Sequence, residues 1–161
     1  MAANTATLFF NKFDNYEKGR PLASYGIRFY QATDEDGQLA SVVRGGKITM
    51  KMRASHLEDV KLWTWMVDNE EKTEDKGITG RIIFQDSQGI IINEIGFFGA
   101  HCVDYVEYWE DKEIATGTDR ADFSLSHWVE ISITCQWISN EGATPFRNNW
   151  NLQESNYKGY S

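Results

Sequence analysis

Three kinds of residue in this 161-residue chain carry chemistry: the histidines His56, His101 and His127, the acidic runs, and the thiols Cys102 and Cys135. A structural or catalytic metal needs three or four converging nitrogen, sulfur or oxygen ligands, and neither an HExxH nor a CxxC spacing occurs. His127 falls on the apolar side of an alternating run, so a hydrogen-bonded structural histidine is expected there. Asp34-Glu35-Asp36, followed by Gly37, lacks the alternating oxygen ligands and the distal glutamate of a calcium loop, and so does Glu70-Glu71 with Glu74 and Asp75. Both read as solvated loops. Gly45-Gly46 lacks the GK[ST] or GxxG continuation of a phosphate cradle and reads as a kink or bulge at a strand entrance. Cys102 and Cys135 are far apart in sequence and are expected to be ordinary buried thiols, not a disulfide. No nucleophile stands with a base, and no carboxylate pair marks a cleft. Neither a catalytic site, a metal nor a cofactor is expected.

The six tryptophans could form a sugar-binding platform, but Trp63 and Trp137 fall on expected core faces; Trp109, Trp128 and Trp150 stay open. The elements that position these side chains follow a period of two. In Lys47–Arg53, Ile48, Met50 and Met52 share one face, and Lys47, Thr49, Lys51 and Arg53 the other. Phe123 to Trp137 repeats this, with Phe123, Leu125, His127, Val129, Ile131, Ile133, Cys135 and Trp137 on one side. Ser124, Ser126, Glu130, Ser132, Thr134 and Gln136 lie on the other, with Trp128 the exception. Each strand has one dry and one wet face, as antiparallel sheets do. Further strands are expected near 5–12, 23–32, 78–85, 90–98 and 101–109. Asp86-Ser87-Gln88-Gly89 turns a hairpin, and Gly99 separates the next pair.

One segment breaks the period. Ser55-His56-Leu57-Glu58 reads as a capping box, and behind it Leu57, Val60, Trp63 and Val67 share a stripe at 100° per residue. A helix over about 56–69 should dock that stripe on the sheet. Leu62 and Trp65 project to the other side, beside Glu58, Lys61 and Asn69, and need a second partner: another subunit or a loop of the same chain. One helix among about seven strands gives a mainly β fold, an antiparallel β-barrel or sandwich with a helix packed against it.

At this length folding buries roughly 70% of the unfolded surface, so one core suffices. A hydrophobic fraction of 41% and only two prolines fit a packed domain. Sixteen basic against 24 acidic residues give a charge of -8, which disfavours nucleic acid. No run approaches the roughly 20 apolar residues of a membrane helix, and Met1 to Phe10 has no signal-peptide pattern. Folding in the cytoplasm is expected.

Several stretches together resemble one family. Val42-Val43-Arg44-Gly45-Gly46-Lys47-Ile48, preceded by the acidic loop at 33–37, resembles the approach to the third strand in Hcp-like (haemolysin-coregulated protein) tube proteins of Bacteroidetes-type type VI secretion systems, relatives of phage tail-tube proteins. Leu62-Trp63-Thr64-Trp65-Met66 resembles that family's helix, and Ala100-His101-Cys102-Val103-Asp104-Tyr105 one of its strands. The serine-rich strand ending near Ile138, followed by Asn149-Trp150, resembles its terminus. The resemblance covers about residues 5–150; Lys12 to Leu22 and the polar tail depart from it.

The resemblance implies a single tube domain over 1–150 with a C-terminal tail over 151–161. It also implies a non-enzymatic subunit of hexameric rings that stack into a hollow tube. The tube sits inside a contractile sheath, is fired with a spike from a baseplate, is exported on firing and can carry effectors in its lumen. The loop at about Thr33 to Arg44, through Asp34, Glu35, Asp36, Gly37, Gln38 and Arg44, would reach a neighbouring subunit or ring. Leu62 and Trp65 are candidates for a subunit contact. Thr49, Lys51, Arg53, Ser132, Thr134 and Gln136 are candidates for the polar face toward lumen or solvent. A small soluble β-barrel or sandwich binding a sugar or other ligand is the alternative, and an enzyme with a site scattered through the sequence a third reading.

Overall fold

The computed structural model describes residues 4–10, 19–41, 43–67, 77–110, 127–141 and 143–148. In chain order the elements are β1 (Thr5–Phe10), β2 (Arg20–Pro21), β3 (Ser24–Tyr30), β4 (Arg44–Arg53), α1 (His56–Val67), β5 (Ile78–Gln85), β6 (Ile91–Trp109), β7 (His127–Thr134), β8 (Trp137–Asn140) and β9 (Phe146–Arg147). All pairings are antiparallel, in the order β2-β1-β5-β6-β7-β4-β3, with β8 on β6 and β9 on β8. The expected mainly β fold with one helix is what the chain adopts, with the sheet left open.

The 19-residue β6 joins two layers. Its first half pairs with β5 and β8, and its second half with β7. Gly99, expected to separate two strands, lies inside one: at φ 61° it bends the chain without ending the ladder. A Cβ there would lie 2.8 Å from Gln136 Oε1, so a side chain meets both strain and a clash. The long run at 123–137 is shorter than expected. Phe123, Ser124, Leu125 and Ser126 lie outside the described residues, β7 ends at Thr134, and Trp137 begins β8 in the other layer. Period two carries no information on where a strand leaves one layer for another.

The core lies between the layers. Ile48, Met50 and Met52 of β4, Val129, Ile131 and Ile133 of β7, and Leu8, Ile82 and Phe97 of the facing layer are fully buried. Each such side chain contributes about 1.5–3 kcal/mol by leaving water. Cys102 and Cys135 form no disulfide and are buried in the same cluster. The glycine pair is the expected bulge: Gly45 and Gly46 take φ 110° and 72°, where the β3–β4 register slips between Arg28 and Phe29.

Helix α1 seats on this core by a different face from the one expected. Leu62 and Trp65 are 1% and 3% exposed, whereas Val60, Trp63 and Val67, assigned to the core, point outward. Leu62 and Trp65 therefore cannot be the subunit contact. The physical reason is Asp59, which stands on the buried side. Its carboxylate takes a hydrogen bond from the buried Arg20 guanidinium, which also donates to the Arg53 carbonyl (2.8 Å), and this pair orients the helix. Trp65 then meets Phe10 edge to face at 5.2 Å. At the start of the helix the Ser55 N–H donates to Asp59 Oδ2 (2.8 Å); the side chain of Glu58, expected to complete a capping box, lies outside the described residues.

Candidate assembly surfaces

Among the described residues, three surfaces bear on assembly. The first is the outer stripe of α1. Val60, Trp63 and Val67 are exposed, and Trp63 stands edge to face with Tyr105 of β6 at 5.6 Å. Between helix and strand lies a hollow of about 290 Å³, with Val60, Trp63 and Tyr105 on its apolar side and Glu107 and His127 on its polar side. His127 is thus at the surface, not on the core face, and its Nε2 hydrogen-bonds Glu107 Oε1 at 2.9 Å. Burial pushes the Tyr105 phenol up to about 12, with Glu107 adding to the shift.

The second surface is an arm that extends the β3–β4 hairpin. Residues 31 to 40 are all exposed. Its tip nevertheless has built-in order: Asp36 and Gln38 N–H both donate to Asp34 Oδ1 at 2.9 Å, and Gly37 turns at φ 80°. Ala40 N–H donates to the Ala32 carbonyl at 2.8 Å, and Thr33 bridges to Leu39. Asp34, Glu35, Asp36, Gly37 and Gln38 are thus held together at the tip, and Arg44 stands at the base of the arm opposite Tyr30. Leu39 and Val43 are exposed along it. An arm stiffened this way, with apolar side chains open to solvent, fits contact with another body.

The third surface is the outward face of β3, β4, β7 and the end of β6. Thr49, Lys51 and Arg53 lie there, as expected. Ser132 is in register with them, opposite Thr49, but is only 3% exposed. A small side chain inside a four-stranded layer is shadowed by its neighbours, and its hydroxyl pairs with Thr49 Oγ1 at 3.0 Å. Thr134 is half-buried opposite His101. Gln136 is on no strand: it sits in the turn from β7 to β8 with its N–H donating to the Phe98 carbonyl. Of the open tryptophans, Trp128 stacks on Tyr108 at 4.1 Å, Trp109 is exposed, and Trp150 lies outside the described residues. Trp137, expected in the core, is half-buried against Phe98.

Sequence reasoning missed Ile90, Ile91 and Ile92, exposed at the β5–β6 tip, and Phe29, Tyr30 and Leu39 of the arm. Consecutive isoleucines next to the Asp86–Gly89 turn were the available signal. Among the described residues no group of three or more His, Cys, Asp and Glu could hold a metal. Glu70, Glu71, Glu74 and Asp75 lie outside them.

The sequence profile of the haemolysin-coregulated protein Hcp (TssD) matches residues 2–151. The chain belongs to the Hcp family. It is accordingly a structural subunit of the type VI secretion tube. The fold comparison agrees. Hcp1 from Flavobacterium johnsoniae superposes with a TM-score of 0.68 at 20% identity over 89% of this chain and 99% of that one. Hcp1 from Salmonella typhimurium gives 0.60 at 8% identity over 90% and 92%. A type six secretion system protein gives 0.64 at 10% identity over 86% and 83%. No curated protein sequence matches the chain. None of the described helices is long and apolar enough to cross a membrane.

Proposed function

We propose that this Hcp-family chain closes into hexameric rings that stack into a hollow tube, with no catalysis of its own. The observation that carries this is the pairing of two unlike uncovered surfaces on one subunit: the apolar α1 stripe, and the stiffened arm at 31–44. Assembly into stacked rings takes one surface for the neighbour within the ring, whose heterologous contact closes it when the rotation permits, and a separate surface for the next ring. In this reading the stripe of Val60, Trp63 and Val67, with Tyr105, packs on the adjacent subunit. The arm, through Asp34, Glu35, Asp36, Gly37, Gln38 and Arg44, reaches the next ring. The polar face of β3, β4 and β7 lines the bore; the tail expected over 151–161 lies outside the described residues.

The partners are then further copies of the chain, the sheath, baseplate and spike around the tube, and effectors inside it. The tube assembles in the cytoplasm and leaves the cell on firing. The test is the Trp63→Lys variant beside the parent in light scattering: rings from the parent and single subunits from the variant support the reading, and equal masses overturn it.

A further inference from the structure

In a chain of net charge -8, five basic side chains gather on one sheet face: Arg28 on β3 and Arg44, Lys47, Lys51 and Arg53 on β4. Arg28 and Lys47 are direct cross-strand partners, as are Tyr30 and Arg44. Like charges placed directly opposite one another destabilise a sheet, so folding alone does not explain Arg28 facing Lys47. None of the five forms an ion pair with a carboxylate among the described residues, although Glu130 is the direct cross-strand partner of Lys51. Aromatic rings instead hold two of them in place: the Arg28 guanidinium lies 5.7 Å from the Tyr30 centroid, and Lys51 Nζ lies 3.8 Å from that of Trp128. Beside Arg28 and Lys47, Gly26 leaves the surface open, and an added Cβ there would meet nothing within 4 Å. The result is a hollow of about 450 Å³ framed by Arg28, Tyr30, Lys47 and Thr49.

We infer that this face binds acidic polypeptide segments, the hollow over Gly26 taking a side-chain carboxylate between Arg28 and Lys47. Resting on the tube reading, in which this face lines the bore, the inference makes the preferred cargo a protein with a carboxylate-rich surface. A ring repeats the hollow around the bore, so weak single contacts add. Polypeptide fits better than nucleic acid. Glu130 and Asp104 lie on the same outward face, on the neighbouring strands β7 and β6, and interrupt the positive surface that a phosphate backbone would have to track.

The test uses the full-length chain and three fluorescein-labelled probes of matched charge number: oligo-glutamate, oligo-lysine and oligothymidylate. Binding is read by anisotropy at low and high salt, with light scattering on the same samples. Oligo-glutamate is expected to bind in a salt-sensitive way and oligo-lysine not at all. Arg28→Glu combined with Lys47→Glu should weaken oligo-glutamate about tenfold, reflecting loss of two attractive charges and gain of two repulsive ones. The milder Arg28→Gln, Lys47→Gln pair should give a smaller loss, and Arg81→Glu on the other layer none. No oligo-glutamate binding at low salt, equal binding by the double variants, or tighter binding of oligothymidylate overturns the inference. The face is open in a single subunit as well, so a parent that elutes as a monomer counts against the ring while the anisotropy still decides the binding.

Discussion

Trp63 of α1 and Tyr105 of β6 meet edge to face at 5.6 Å on the outside of the molecule, although Trp63 is one residue from the buried Leu62 and two from the buried Trp65. Two neighbouring tryptophans thus do opposite jobs. Trp65 fills the core against Phe10, and Trp63 stays 53% exposed beside Tyr105.

Substitution separates the two roles. Trp65→Ala should lower the stability of the single subunit by about 3–5 kcal/mol through loss of buried contacts and the cavity left behind. Trp63→Lys should cost no more than about 1.5 kcal/mol, the worth of its aromatic pair with Tyr105, while dissociating rings. Urea unfolding and light scattering on both variants check this; a large loss of subunit stability in Trp63→Lys would place that ring in the core.

The arm makes a second prediction. Deleting Asp34 to Gln38 removes the tip turn held by Asp34 Oδ1 but no core residue. Rings should persist and stacks should disappear in electron microscopy. Long tubes from the deletion chain would remove the arm from ring stacking.

The buried pair Arg20–Asp59 fixes how α1 sits. Removing one partner leaves a charge without compensation, so Asp59→Ala should cost about 3–5 kcal/mol. Arg20→Met with Asp59→Leu should recover much of that loss, because both charges leave together. Denaturant midpoints of the single and double variants measure it, and a mild single-site effect would mean that the helix is oriented by Leu62 and Trp65 alone.

Alkaline pH should weaken the fold. Burial pushes the Cys135 thiol up from 9.0 to about 12 and the Tyr25 phenol up from 10.0 to about 12, the latter aided by Cys135. Groups with raised native values hold their protons longer folded than unfolded. Their contribution is whole below about pH 9 and is lost as pH rises toward about 12. Urea midpoints measured from about pH 8 upward should therefore fall, and less steeply in Cys135→Ala. A flat profile would mean these groups titrate alike in both states.

Much of this architecture is legible in the sequence, because alternation reports burial directly. Ile48, Met50 and Met52 read as one face and are one face, and the Asp86–Gly89 turn sits between β5 and β6 as its residues require. The helix face was not legible. Apolar side chains occur all round α1, so periodicity offers two stripes without saying which meets the sheet. Asp59 decides, through a partner 39 positions away. Ser132 escaped for a similar reason: its polarity marks the outward face, but its burial depends on Thr49 and on strands on both sides. Gly99 read as a break because a positive-φ glycine usually ends a strand, whereas here the same bend carries β6 from one layer to the other.

The central claim is assembly through the outer stripe of α1, and the most direct measurement is the mass of the purified full-length chain by size-exclusion chromatography with light scattering, beside Trp63→Lys. The account predicts a hexameric mass for the parent and single subunits for the variant. A parent that stays monomeric at high concentration, or a variant that keeps the ring mass, would contradict it.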